Sequence, residues 1–561
     1  MARMNFFAKE TQIKSKTVVR YISRSPRVPC VARCIEGCER ETLDKTTSHP
    51  TKLQTTAAKS LVITTNGLNL RFPNVLFAAS CVVSTLAHAG SVPYADTEIN
   101  DAIINKPAEI RLGFEQTTLP GNEAMGMVGA SYLIQVATGF YFGPAAYGAI
   151  TGHRGGFFTV GGEVEWHQHL VSKLVMEAGV YGGGGGGGSS PAGGGLMIRP
   201  HVDLLWDFGG YHAGISASNV RFPNGSINSN QVGLMFSADS DFSYSSPNHV
   251  GQQVDFQGPS GMGFDRVLIT TGVYKPRSGT TSSNIGYVGA RLEQFFYPSL
   301  YRGIEAVGAA SGGVAGYAEF LGTLGAETPV WDDKLAIGAR LGIGMGGGGA
   351  VSVGGGSLIK LGAYTTVSLS RNVHLALEGG YANAPGGKFS ATYGSANFVW
   401  DLDHPYTSGR QATIVGNEWV VGSEHYFGAA HKGGSKRDLE AVTIKLNRYL
   451  TDSLYLTAQA HSAYSGNAGA YSVGLVGAGY HTPKFAYGLS AGAELLVGAA
   501  GGGSVDTSSG AVVQTMVYLG MDLTDAVGLR LSAGRAKSIK GALNSNIVDM
   551  SVSFAFGTAS R

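Results

Sequence analysis

From Leu335 to Met345 the chain alternates without a break. Leu335, Ile337, Ala339, Leu341, Ile343 and Met345 fall on one side, Ala336, Gly338, Arg340, Gly342 and Gly344 on the other. The next segments repeat the pattern. Ile359, Leu361, Ala363, Thr365, Val367 and Leu369 oppose Lys360, Gly362, Tyr364, Thr366 and Ser368, and Val527, Leu529, Leu531 and Ala533 oppose Gly528, Arg530, Ser532 and Gly534. A period of two belongs to a β-strand, and a helix would not sustain it. Around these positions eight such segments are predicted, starting near Arg266, Asn284, Leu300, Gly316, Leu335, Leu358, Val373 and Phe389, each bounded by Gly, Pro, Asp, Asn or Ser.

The pattern recurs along the chain. Glycine-packed hairpins appear at Gly182 to Gly188, Gly346 to Gly356 and Gly501 to Gly503, after the same kind of alternating segment. Tyr364, Val373, Gly380 and Gly387 return as Tyr518, Val527, Gly534 and Gly541, while His374, Pro385 and Gly387 look back to His212, Pro223 and Gly225. The period is therefore about 154 to 162 residues. It predicts three repeats, at about 109–250, 251–405 and 406–561, of about eight strands each.

Composition then inverts the usual sense of the two faces. Charged residues make up 14% of the chain and there are 85 glycines, against a soluble norm of about 25% charged and about 7% glycine. The bulky face of each segment is apolar, and the other carries Gly, Ala and isolated charges. That is the pattern of a wall with lipid outside and small or polar groups within. No run of 18 apolar residues exists, so spanning helices are excluded. Tight turns at Tyr297-Pro-Ser-Leu300, Val330 to Lys334, Ser370 to Asn372 and Thr524-Asp525 alternate with longer connections at Lys275 to Ser283, the glycine hairpins and Phe427 to Arg437. Aromatics at Phe295 to Tyr297, Trp331, Phe398, Trp400, Tyr449, Phe554 and Phe556 suit interfacial belts.

The basic character is confined to the start. Residues 1–60 hold 12 of the 41 Lys/Arg and 5 of the 39 Asp/Glu, which leaves the rest acidic and argues against nucleic-acid binding. Asn69 to Ala89 reads as a signal peptide, with Arg71, an apolar stretch and Ala87-His-Ala89 before Gly90. Residues 1–68 then form a disordered leader or precede the true start, and 90–108 a short periplasmic linker. Cys81 after Ala79-Ser80 leaves a lipoprotein alternative open. Cys30, Cys34 and Cys38 lack a fourth ligand at a usual offset for a metal knuckle.

A cleavable leader, period-two strands with an apolar outer face and the terminal strand Asp549-Met-Ser-Val-Ser-Phe-Ala-Phe556 together resemble bacterial outer-membrane β-barrel proteins of porin-like build, over roughly residues 109–561. In this chain Gly-Thr-Ala-Ser-Arg follows Phe556. The resemblance implies an all-β, antiparallel transmembrane β-barrel of about 24 strands from three internal repeats, placed in the outer membrane. It also implies outer-membrane lipid and the assembly machinery as partners, with a periplasmic gating partner as one way to close a pore. Because the inner faces look sparse and a small barrel must be filled by side chains, one wide barrel is expected rather than three small ones.

Parity places Arg199, His201, Asp203, Arg291, Glu293, Glu319, Arg340, Lys360, Tyr364, His374, Glu378, Lys445, Asn447, Asp522 and Arg530 on the inner wall. Their mixed signs do not predict a strongly selective ring. Glu163, Glu165, His167 and His169 share one strand face with neighbours about 6.6 to 7 Å apart, a ladder that is a weak candidate for a metal. No cofactor is expected, and catalysis is not. Gly488-Leu-Ser-Ala-Gly492 has a nucleophile-elbow spelling but lies inside an alternating strand. The glycine run near Gly346 lacks the Gly-Lys-Ser/Thr of a phosphate loop. The functional expectation is an outer-membrane channel, a diffusion pore or a polymer exporter such as one for polysaccharide. A structural or adhesive surface barrel without conductance and a soluble secreted β-repeat protein are the alternatives. A pore without an inserted plug domain would need a partner, a substrate or infolded outer loops to close it.

Overall fold

Alternation sets the fold directly: each amphipathic segment becomes a strand, and each tight turn an antiparallel hairpin. A computed structural model describes residues 102–279, 283–331, 334–404, 410–485 and 488–561. The leader, signal peptide and most of the linker expected from the sequence lie outside the described residues.

The first barrel is a single antiparallel meander. Its strands are β1 (Ile104–Leu119), β2 (Glu123–Ala137), β3 (Phe140–Thr151), β4 (Phe158–Val171), β5 (Leu174–Gly186), β6 (Met197–Asp207), β7 (Tyr211–Arg221) and β8 (Asn228–Tyr244). It closes through β1 and β8, where Leu112 faces Phe236. A linker holding the short β9 (Gln253–Asp255) leads to the second barrel. That barrel comprises β10 (Arg266–Ser278), β11 (Ile285–Tyr297), β12 (Leu300–Ala309), β13 (Ala318–Trp331), β14 (Leu335–Gly347), β15 (Ser357–Ser368), β16 (Val373–Asn383) and β17 (Ser390–Asp401). It closes through β10 and β17. The third comprises β18 (Gln411–Ala430), β19 (Lys436–Tyr449), β20 (Leu454–Ala463), β21 (Ser472–His481), β22 (Leu489–Gly501), β23 (Ala511–Asp522), β24 (Val527–Ser538) and β25 (Asn544–Ser560). It closes through β18, which pairs with both β19 and β25, while β9 adds to the free end of β18.

The all-β, antiparallel, triplicated architecture is thus as the pattern implies, but closure differs from the expectation of one wide barrel. Each repeat closes on itself. The reason lies in the inward glycines. They are not gaps, because on the neighbouring strand an inward tyrosine lies flat across each of several of them: Tyr301 over Gly325, Tyr364 over Gly338, Tyr455 over Gly479 and Tyr518 over Gly492. A β-carbon at any of these glycines would overlap the ring. Eight strands leave an interior that side chains can fill, and the tyrosines fill it.

The three barrels meet in a ring, all within one compact unit. The third strand of each touches the fifth strand of another: β3 against β14, β12 against β22 and β20 against β5. The contacts are made at the glycine-rich ends, where backbones approach closely enough to bond. Gly155 N donates to Gly354 O at 2.9 Å and Gly469 N to Gly193 O at 3.0 Å. At Gly316, φ is +89° and an added β-carbon would lie 2.8 Å from Gly502 N. Only glycine meets both demands there. Between the barrels lies a cavity of about 410 Å³, with Phe158, Leu292, Ile304, Ile444 and Val497 in its wall.

Candidate functional site

Burial sorts the two faces as parity does. On the outside Ile304, Leu324, Ile343, Leu361, Leu377, Leu495, Val517 and Leu531 are exposed, Leu361 by 58%. Inside, Arg199, His201, Asp203, Arg291, Glu293, Glu319, Arg340, Lys360, Tyr364, His374, Glu378, Lys445, Asn447 and Arg530 are all buried within the barrels. Asp522 differs. It has the same parity but lies at the very end of β23, exposed, where it pairs with Lys484.

The buried groups are cross-linked rather than free. In the first barrel Arg199 grips Glu115 with Nε at 3.0 Å from Oε1 and Nη2 at 3.0 Å from Oε2, and donates to Tyr147 at 3.2 Å. Arg111 sits among Glu165, Glu177 and Asp203. In the second, Arg340 lies 2.8 Å from Glu305 and 2.8 Å from Glu378, and Lys360 donates to Glu305 at 2.8 Å. The Lys360 ammonium also faces the rings of Tyr274, Tyr287 and Tyr393 at 5.3, 4.9 and 4.7 Å. His374 lies 2.9 Å from Asp401. In the third, Lys445 is 3.3 Å from Asp549, Arg530 pairs with Glu418, and Asn447 donates to Glu418 at 3.0 Å. Multiple partners of this kind are what a buried charge requires.

Above each ionic layer the loop end is packed with apolar residues, many supplied by the loops. Phe157, Phe222 and Ile227 join Met125, Met197 and Tyr181 in the first barrel. Val314, Val351, Val353 and Phe389 join Tyr274 and Leu358 in the second, and Ala468, Val505 and Leu543 join Tyr426 and Leu475 in the third. Infolded outer loops are therefore the closure present among the described residues.

Of the ladder on β4, the structure brings three members together and leaves one out. Glu163 and Glu165 are buried, His167 is partly so, and His169 is exposed at the strand end. Sequence reasoning missed Arg111, Glu115, Glu177, Glu305, Glu418, Glu494 and the interior tyrosines other than Tyr364. The charged ones lie on β1, β5, β12, β18 and β22, strands from which no inner-wall residue was taken, and the same period-two rule applied there would have found them. The serine of Gly488 to Gly492 lies in β22, without a strand-to-helix turn.

Among the exposed aromatics, Phe140, Trp206, Phe208, Tyr211, Tyr297, Trp331, Tyr480 and Phe485 lie at the end of the barrels carrying the short turns, while Tyr381 stands near the other end. Rings that are half wet and half apolar favour a membrane interface.

No family model and no curated protein matches the chain. Among solved structures it aligns with the outer membrane protein opdK from Pseudomonas aeruginosa, at 11% identity over 82% of this chain and 100% of that one, TM-score 0.22. It aligns with the copper transporter OprC at 10% identity, 82% and 84% coverage, TM-score 0.27. The ferric enterobactin receptor PfeA gives 10% identity, 80% and 81% coverage, TM-score 0.26. Overall superposition is poor at these scores, and the geometry of the chain itself carries the assignment. With closed antiparallel strands, apolar side chains outside and charges within, the chain has the build of an outer-membrane β-barrel protein.

Proposed function

We propose that this chain stands in the bacterial outer membrane as a ring of three sealed barrels and serves as a structural surface protein without porin-like conductance. The carrying observation is the filled interior: a layer of mutually paired buried charges beneath an apolar plug in each barrel. An eight-stranded barrel has room for side chains, not for a wide aqueous lumen. The membrane setting is supported by the exposed Leu, Ile and Val of the outer face and by the aromatic girdle at the short-turn end.

A second reading, a gated channel for diffusion or polymer export, is favoured by one observation: the plugs are built partly from loop residues such as Phe157, Val353 and Val505. Loops can withdraw where strands cannot. Single-channel recording of the purified protein in planar bilayers separates the two. Sealed barrels give a bare-bilayer baseline. Stepwise openings of porin size would overturn the proposal in favour of the channel. Release from membranes by carbonate without detergent would instead support a soluble secreted protein.

A further inference from the structure

The three repeats act as controls for one another, and the first departs from the other two at one place. Strand pairing aligns Glu165 with Gly325 and Gly479, Glu177 with Gly338 and Gly492, and Asp203 with Tyr364 and Tyr518. Where the second and third barrels lay tyrosines over glycines, the first therefore holds three carboxylates. Tyr455 and Tyr518 close that layer in the third barrel with hydroxyls 3.1 Å apart. In the first barrel the layer holds these acids, His201 and the Arg111 guanidinium instead.

The charge balance follows. The buried set of the first barrel comprises Glu109, Glu115, Glu163, Glu165, Glu177 and Asp203 against Arg111 and Arg199. Arg199 is occupied by Glu115 and Arg111 leans on Glu177, Asp203 and Glu165. Glu163 receives the Tyr147 hydroxyl at 3.0 Å through Oε1, but its Oε2 has no hydrogen-bond donor.

His201 points into this deficit. Its Nδ1 lies 3.0 Å from Asp203 Oδ2, and since a carboxylate only accepts, Nδ1 carries the proton. Its Nε2 is buried without a hydrogen-bond partner, 3.0 Å from Glu163 Oε1 and 3.3 Å from Glu165 Oε1. By the same rule a lone pair on Nε2 facing two carboxylate oxygens is repulsive, and either a second proton on the ring or a bound cation relieves it. Ligand atoms of Glu163, Glu165 and His201 lie within 4.8 Å of one another, and a histidine whose other nitrogen donates to a carboxylate is the usual orientation of a metal ligand.

We propose that Glu163, Glu165 and His201 bind a divalent transition-metal ion inside the first barrel, with Asp203 as the positioning residue for His201. One imidazole and two carboxylates suit zinc or a neighbouring first-row ion better than calcium, which prefers six to eight oxygens. From the site the β4 ladder continues through His167, partly exposed and stacked on Tyr141, to the exposed His169 at the short-turn end. No counterpart is expected in the other two barrels, where the aligned positions are Thr323 and Gly325, and Gly477 and Gly479.

The test is zinc titration by calorimetry and metal analysis of the full chain, purified in detergent after chelator treatment. Folding of every variant is checked by heat-modifiable gel migration. Wild type is expected to bind one zinc ion per chain with high affinity. Glu163→Gln and His201→Gln should each weaken that event at least tenfold, Asp203→Asn by about 10- to 100-fold, and the second-barrel control Glu319→Gln not at all. Equal binding by all variants would place the zinc on exposed histidines and overturn the proposal. A folded wild type that takes up no zinc would also overturn it, leaving a protonated His201 as the cation of the cluster.

Discussion

Leu361→Arg puts a charge on a face that meets only hydrocarbon. Leu361 stands mid-strand on the outer face of β15, 58% exposed, beside Leu341 and Tyr381 on the flanking strands. At the bilayer midplane an arginine on a barrel's lipid face costs about 2–4 kcal/mol, falling to about 0–1 near the interface. On a water-exposed surface the same change stays within about ±0.5 kcal/mol. With roughly 1.4 kcal/mol per factor of ten, the midplane cost lowers the folded-to-unfolded ratio by about 30- to 700-fold. Val367→Arg, on the same face near the Leu369 turn and 44% exposed, supplies the shallow control. Urea unfolding in lipid vesicles, read by heat-modifiable migration, gives both values. The expected result is a midpoint lowered strongly by Leu361→Arg and little by Val367→Arg. Two equal and negligible shifts would refute the claim that this face meets lipid.

Two further outcomes follow from the interior and the linker. Gly492→Val should destabilise the third barrel by more than about 1–3 kcal/mol, the usual cost of overpacking, because the Tyr518 ring occupies the space and cannot leave without breaking its bond to Tyr455; equilibrium unfolding measures it. Asp265, in the linker before β10, is held up to about 7 by burial, against the opposing effect of the Phe295 N–H that donates to it at 2.7 Å. A carboxyl raised in the folded state binds more protons there than when unfolded. Its contribution is therefore full at low pH and is lost as pH climbs from about 4 to about 7; Asp265→Asn should flatten that part of the stability profile.

How far the sequence speaks depends on range. The strand starts near Arg266, Leu300, Leu335 and Val373 coincide with observed strands, because period-two alternation is a local property written into consecutive residues. Closure is not local. The pairing of Arg266 with Asp401 joins the ends of a repeat, and nothing near either residue announces it. The filling of the interior was hidden for the same reason. Gly338 reads as an empty place until Tyr364, on the next strand, is laid across it. In the first barrel the ladder Glu163, Glu165, His167 and His169 was visible as one face of one strand. Glu177 on the adjacent β5, His201 on β6 one strand further and Glu109 on β1 complete the clusters around it and needed the register.

The bulky side of each strand faces oil and the charged side a dry interior. Single spin labels test it most directly. In a chain with Cys30, Cys34, Cys38 and Cys81 replaced by serine, labels are placed at Ile359, Leu361, Ala363 and Thr366 in lipid vesicles. Ile359 and Leu361 are exposed, and Thr366 is buried. Labels at 359, 361 and 363 are expected to collide with oxygen dissolved in the bilayer and not with a water-soluble quencher, while the label at 366 is shielded from both. Free access of the water-soluble quencher to positions 359, 361 and 363 would contradict that orientation.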